Sequence, residues 1–283
     1  HIPDTLLFAG ERVPLEQYDV YERMDRELLV NTYWQSQTML FFKRANRWFP
    51  LIEPILKEQG IPDDFKYLAL IESGLINVSS PAGAVGFWQI LESTAKELGL
   101  EVNQEVDERY HVEKATRAAC KYLLESKRQF GNWTMAAAAY NMGRAGLSRQ
   151  VSSQKANDYY QLWLNDETSR YVFRILAIKC IFENPKGHGF YFRNKDLYQP
   201  IDCITLNVDT PVSSLVDFAR LQGTDYKGLR YMNPWLRQSS LSNKLKKSYE
   251  IKIPRSTIRE PLPDDEADTL FLIQKQEHLN GDI

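Results

Sequence analysis

A glutamate stands where an amphipathic helix would carry an apolar side chain. In Asp64-Phe65-Lys66-Tyr67-Leu68-Ala69-Leu70-Ile71-Glu72-Ser73-Gly74, residues Phe65, Leu68, Ala69 and Glu72 fall at i, i+3, i+4 and i+7 of one helix face. The Glu72 carboxylate is therefore expected on the stripe that a helix buries. Gly74 suits the left-handed residue just past a helix end, which places Glu72 in the last turn, where unpaired carbonyls disfavour negative charge. Burial and carbonyl dipoles both raise a carboxyl pKa, and a general acid working near neutral pH needs a raised pKa. The bland alternative is a helix-terminal glutamate that reaches back to solvent.

Three further segments could share a site with it. Ser79-Ser80-Pro81-Ala82-Gly83-Ala84-Val85-Gly86-Phe87-Trp88-Gln89-Ile90 is a turn-rich link that delivers an aromatic pair and an amide, a composition suited to a cleft wall. Ala136-Ala137-Ala138-Ala139-Tyr140-Asn141-Met142-Gly143 reads as a helix whose small residues permit close approach of another backbone and which presents Tyr-Asn at its end. Glu167-Thr168-Ser169-Arg170-Tyr171-Val172 opens a late helix. In order and spacing these segments resemble the catalytic core of the soluble-lytic-transglycosylase family. That family pairs a Glu-Ser dipeptide with a Gly-Leu-Met-Gln-like loop, an Ala-Tyr-Asn-Ala-Gly-like helix end and a Glu-Thr-x-x-Tyr-Val run around one saccharide groove. The resemblance covers residues 50 to 185. Asp107-Glu108-Arg109-Tyr110 and Thr116-Arg117-Ala118-Ala119 look like its membrane-bound type D branch. Phe87-Trp88 in the loop and Met142 after the Asn depart from the usual pattern and should alter groove shape more than chemistry.

The resemblance implies a lytic transglycosylase that cleaves the β-1,4 bond between N-acetylmuramic acid and N-acetylglucosamine in peptidoglycan without water, leaving 1,6-anhydro ends. Glu72 would serve as acid and then base, and the substrate's own N-acetyl group would assist. Ser73 would hydrogen-bond near the reacting sugar, and Gln89 and Asn141 would hold N-acetyl or hydroxyl groups. Tyr140 and Tyr171 would frame Glu72, Gly86 would let the loop backbone approach the sugar, and Trp88 stands between groove wall and core. The residues themselves argue for a one-carboxylate site. Inverting glycosidases need a second carboxylate at about 6.5–9.5 Å and retaining ones at about 5–5.5 Å. Asp107 reads as a cap, Glu92 as a helix start and Glu167 as the opening of the Tyr171 helix. A lysozyme-like hydrolase that recruits Asp107 or Glu167 is the nearer alternative, and a non-catalytic glycan-binding envelope protein the more distant one.

Composition bounds the rest. At 283 residues the chain exceeds one typical domain, and 43% hydrophobic content with 12% aromatic is enough for a large core. A net charge of −2 argues against nucleic acid as the main partner. No apolar stretch approaches the roughly 20 residues that span a bilayer. The family places such enzymes in the bacterial periplasm, often lipid-anchored to the outer membrane. The first residue is His1 and not Met, so membrane contact is expected only through an anchor absent from this chain. Peptidoglycan strands are the expected partner, of a monomer. Cys120 and Cys180 sit in apolar helical contexts and read as small buried hydrophobes, and Cys203 completes an odd count with no Cys-x-x-Cys pair. The four histidines lack ligand spacing, with His111 expected as an interhelix contact. No metal and no cofactor are expected.

The fold expected is mainly α, with a lysozyme-like helical catalytic domain over 51–190 behind an N-terminal helical extension over 1–50. Residues 16 to 60 carry two amphipathic helices with Leu28, Leu29, Tyr33, Trp34, Leu40 and Phe41 as candidate core, and with breaks at Pro50, Pro54 and Gly60-Ile61-Pro62. Helices are expected over 64–73, 92–98, 112–130, 134–142, 156–164 and 168–183. After Pro185 the pattern changes. A strand over 201–208, helices over 212–222 and 226–233 and a strand over 248–253, with Asn233-Pro234-Trp235-Leu236 after the second helix, resemble a LysM carbohydrate-binding module. This small α+β (βααβ) domain is expected over 195–256, followed by a C-terminal tail over 257–283.

Overall fold

The helical periodicity of the first two thirds of the chain becomes a succession of packed helices. The computed structural model describes residues 2–259 except 245, together with residue 262. The expected tail therefore lies, from residue 260 and apart from residue 262, outside the described residues. A short hairpin, β1 (Leu7–Phe8) and β2 (Glu11–Arg12), precedes α1 (Tyr18–Tyr33) and α2 (Gln35–Glu58). A 3₁₀ turn at Asp63–Phe65 leads into α3 (Lys66–Ser73). Then come α4 (Glu92–Glu97), α5 (Val112–Phe130), α6 (Trp133–Met142), α7 (Arg144–Gln154) and α8 (Asp166–Glu183).

The α8 helix is the centre of this unit. Tyr171, Val172, Phe173, Ile175, Leu176, Ala177 and Ile178 are all buried, so the helix is apolar nearly all round and is enclosed by α1, α3 and α6. The four alanines of α6, fully buried, let its backbone lie close to α5 and α8. Glu11 of the hairpin caps α6. Its carboxylate accepts from Trp133 N (2.6 Å), Thr134 N (2.8 Å) and Thr134 Oγ1 (2.7 Å), satisfying donors that the first turn of a helix leaves free. Asn132 adds an N-cap, its side-chain oxygen accepting from Met135 N at 2.7 Å.

Several expectations are corrected here. Pro50 and Pro54 lie inside a continuous α2 and do not break it. An internal proline costs about 3 kcal/mol, and the buried face of Phe49, Ile52, Ile55 and Leu56 holds the helix through both. The helix expected over 156–164 is a 3₁₀ turn at Tyr159–Gln161 followed by extended chain, in which buried Leu162 and Leu164 alternate with exposed Gln161 and Trp163. A helix stands instead at α7, closed by Lys155 in the left-handed region. Leu28 and Phe41 are core as expected, whereas Leu29, Tyr33 and Trp34 are exposed. The β1–β2 hairpin was not anticipated.

The C-terminal unit follows the expected βααβ order: β3 (Cys203–Val208), α9 (Leu215–Leu221), α10 (Tyr226–Met232) and β4 (Tyr249–Pro254). The strands pair antiparallel from Cys203↔Pro254 to Val208↔Tyr249. Asn233 locks α10 to β4, its amide donating to Leu229 O (2.8 Å) and Lys252 O (2.6 Å) while Lys252 N donates to its oxygen (2.8 Å). The core of this unit, with Leu215, Leu229, Leu236 and Ile251 fully buried, takes in Val106 from the loop before α5. That loop docks edge-on: Asp107 N donates to Trp235 O (2.9 Å) and Arg237 N to Glu105 O (2.7 Å). Buried His111 faces Trp235 at 5.7 Å, so it joins the two units and not two helices of one.

Candidate active site

The site starts from α3. Phe65, Leu68, Ala69 and Leu70 are fully buried, which seats the helix, and Gly74 ends it in the left-handed region (φ 62°) with its N–H on Leu70 O at 2.8 Å. Glu72 thus sits in the last turn, half-buried. Two guanidinium groups meet the carbonyls at this end: Arg174 Nη2 donates to Ile71 O (3.1 Å) and Arg44 Nη1 to Gly74 O (3.2 Å). Both counter the negative end of the helix.

Burial raises the Glu72 carboxyl above the ordinary glutamate value. The Tyr171 hydroxyl, which donates to Glu72 Oε1, and the charge of Arg174 pull it down, and Glu167 pushes it up. The net direction is upward, so the group holds its proton to higher pH than a surface glutamate. Burial, then the Glu72 charge, keeps the Tyr171 phenol well above its ordinary value, which makes it a donor throughout the working range. Tyr140, at the end of α6, donates to Trp88 O at 2.7 Å and is likewise raised by burial and by Glu72.

The loop between α3 and α4 folds back on itself through bridges at Ser79↔Val85 and Val85↔Ile90. Gly86 has φ +78°, and a Cβ there would lie 2.1 Å from Arg109 O. Its bareness thus serves the approach of the loop to the 109–110 backbone. Gln89, also at positive φ, donates from Nε2 to Gly86 O (2.8 Å) and Val78 O (3.1 Å). Ser73 donates to Phe87 O (2.9 Å) and accepts from Leu75 N (3.1 Å), joining the end of α3 to the loop.

Placed in space, Glu72, Tyr171 and Tyr140 come together, with Ser73, Gly86 and Gln89 building the loop beside them. Asn141 is bonded to its neighbours on α8, donating to Glu167 Oε1 (2.9 Å) and accepting from Thr168 Oγ1 (2.7 Å). Trp88 is not a groove residue. It is fully buried, and its indole N–H donates to Thr116 Oγ1 at 2.8 Å. Of the other carboxylates weighed, Asp107 is buried in an ion pair with Arg109 (2.8 Å) and Glu92 is paired with Lys96 (2.5 Å). Glu167 is exposed and close enough for its charge to act on Glu72. Reasoning from motifs passed over Arg174 and Arg44. Arg174 could have been found, because it stands three residues after Tyr171 on the same helix face. Among the described residues no group of three His, Cys, Asp or Glu side chains could hold a metal ion.

The family described as Transglycosylase SLT domain matches residues 50–163, the segment that carries Glu72, the loop and Tyr140-Asn141. Residues 50–163 form a transglycosylase SLT domain. The family described as Soluble lytic transglycosylase C-terminal LysM-like domain matches residues 204–257, behind the SLT domain. The chain is 26% identical over 247 residues to membrane-bound lytic murein transglycosylase D of Escherichia coli, covering 84% of this chain and 53% of that protein. It thus spans about half the length of that relative. A protein of an Alteromonas species named for tributyltin chloride resistance is 28% identical over 191 residues, covering 65% of this chain and 92% of its own. Among solved structures, an inactive mutant of the lytic transglycosylase Slt from Pseudomonas aeruginosa matches at 21% identity and a TM-score of 0.40, covering 49% of this chain and 24% of that one. Mainly helical, with the SLT domain ahead of the small LysM-like unit, the architecture is the one expected from the sequence. Among the described residues no helix is long and apolar enough to cross a membrane.

Proposed function

We propose that the protein is a peptidoglycan lytic transglycosylase in which Glu72 is the only acid and base. The observation that carries this reading is the half-buried Glu72 carboxyl, raised by burial and held by the Tyr171 hydroxyl within an SLT domain. Protonated Glu72 gives its proton to the oxygen of the β-1,4 bond between N-acetylmuramic acid and N-acetylglucosamine. The C1–O bond breaks, and the acetamido oxygen of the muramic residue closes on C1. The Glu72 carboxylate then takes the proton of the 6-hydroxyl, whose oxygen attacks C1 and releases the acetamido oxygen. The product ends in 1,6-anhydro-muramic acid, and no water is consumed. Tyr171 orients the carboxyl through both steps, Tyr140 fixes the loop through Trp88 O, and Asn141 with Gln89 lines the sugar path.

Murein as substrate and a place at the bacterial cell envelope agree with the name of the Escherichia coli relative, and the periplasmic side of that envelope is where the proposed activity would meet its substrate. The LysM-like unit is the natural second contact with glycan. A hydrolase reading rests on Glu167, whose charge acts on Glu72 and which could activate a water. Asp107, held by Arg109, is not free to do so. In a turbidity assay on purified sacculi, Glu72→Gln should lose at least about 100-fold in rate, the scale of a missing general acid and base. Residual activity above a few per cent of wild type would remove Glu72 from this role.

A further inference from the structure

We infer that Arg109 is a positioning residue for the reaction at Glu72, its guanidinium clamping the two sides of the 79–90 loop and so fixing where Gln89 and the Phe87 and Trp88 carbonyls stand. The inference rests on the reading of the site given under the proposed function.

The loop meets the neighbours of the Glu72 carboxyl through its backbone. Phe87 O accepts from Ser73, the residue after Glu72, at 2.9 Å, and Trp88 O accepts from the Tyr140 hydroxyl at 2.7 Å. Around these contacts the chain takes an unusual path: Gly83 and Gly86 have φ of 80° and 78°, and Gln89 stands at φ 47°, where a side chain is strained. Such a conformation persists only where the surroundings impose it. Arg109 does so at three points. Its Nη1 donates to Gly83 O (3.1 Å) and to Ile90 O (3.3 Å), on either side of Phe87-Trp88-Gln89. Its own carbonyl oxygen lies against Gly86, where a Cβ would be 2.1 Å away.

The clamp is itself held. Arg109 Nε and Nη2 donate to the two carboxylate oxygens of Asp107 at 2.9 and 2.8 Å, a two-point fork that fixes the plane of the guanidinium and leaves Nη1 turned to the loop. Both residues are buried. The Asp107 N–H donates to Trp235 O (2.9 Å) and Val106 bridges to Leu236, so the LysM-like unit braces the segment that carries the clamp. The Glu72 carboxyl takes its shift from burial, Tyr171, Arg174 and Glu167. A change at Arg109 therefore reaches Glu72 only through the loop. A lysine in its place would carry the same charge on a single head and could not hold Asp107 and both carbonyls at once.

Steady-state kinetics on soluble, peptide-free murein glycan strands tests this with two variants. Arg109→Lys keeps the buried charge pair and gives up the fork. The double variant Asp107→Asn/Arg109→Gln leaves no buried charge unpaired and keeps a capping oxygen at position 107, so it decides the matter if Arg109→Lys fails to fold. At a temperature where circular dichroism shows them folded, both should lose at least about tenfold in kcat with a smaller change in KM, the pattern of a displaced group that acts in the transition state. The alkaline limb of the pH profile should stay in its wild-type place. Rates per folded molecule within about threefold of wild type would leave Arg109 a purely stabilising contact and overturn the positioning role, as would a loss confined to KM or a displaced alkaline limb. A wild-type protein that cleaves none of the strands would overturn the transglycosylase reading, and the positioning role with it.

Discussion

At the scale of single residues, Glu72 is poised by opposing influences that can be removed one at a time. Arg174 lowers its pKa and Glu167 raises it. The acid step needs the protonated form, so the alkaline limb of kcat/KM against pH reports this group. Arg174→Met should move that limb to higher pH and Glu167→Gln to lower pH, and limbs that stay put in both would show that another group titrates. A stability effect follows from the same shift. A folded-state pKa above the unfolded value means that the folded protein holds its proton longer, so stability declines as pH rises between the two values. Glu72→Gln should therefore unfold at a higher temperature than wild type near pH 7, and the gap should close at about pH 3, where both states are protonated. Equal melting temperatures at both pH values would mean that burial of Glu72 costs nothing. The position of Glu72 was legible because helical periodicity marks a carboxylate on the buried stripe. The directions of Ser73 and Trp88 were not, since a motif names residues without saying that one hydroxyl binds a carbonyl and one indole turns inward to Thr116.

At the scale of elements, the loop between α3 and α4 is held by backbone proximity. Gly86→Ala puts a methyl group 2.1 Å from Arg109 O at φ +78°. The expected loss is more than about 2 kcal/mol of stability, with activity falling further as Gln89 and the Trp88 carbonyl shift. A thermal melt within a degree of wild type would contradict the close approach. The loop at 101–110 plays the corresponding part for the LysM-like unit, giving Val106 to its core and the Glu105 and Asp107 backbone to the 235–237 segment. Leu236 is fully buried at this junction. Leu236→Ala should cost about 2–4 kcal/mol and split urea unfolding so that the C-terminal unit melts first. A single transition with an unchanged midpoint would mean that the junction adds no stability. The βααβ order was legible from strand alternation and the Asn233 turn. The docking was not, because a partner distant in sequence leaves no local signature.

At the scale of the whole molecule, a helical unit centred on α8 positions the carboxyl and a second, smaller core follows it. The order of the motifs and most of the helices were legible because a buried helix carries its own period, whereas α7, which buries only Gly146 and Leu147, was missed. The continuous α2 and the extended chain after Lys155 were not, since tertiary burial of Phe49, Ile52 and Ile55 outweighs two prolines and Leu162 and Leu164 alternate at period two. Tyr33 and Trp34 look like core residues by type, yet both are exposed where α1 gives way to α2. In the proposed mechanism one carboxyl serves both proton transfers and the substrate supplies the nucleophile. Mass spectrometry of the fragments released from purified peptidoglycan tests it most directly, with Glu72→Gln alongside. Wild type should release 1,6-anhydro ends that disappear in the variant, while reducing ends would show that water, and not the 6-hydroxyl, attacks C1.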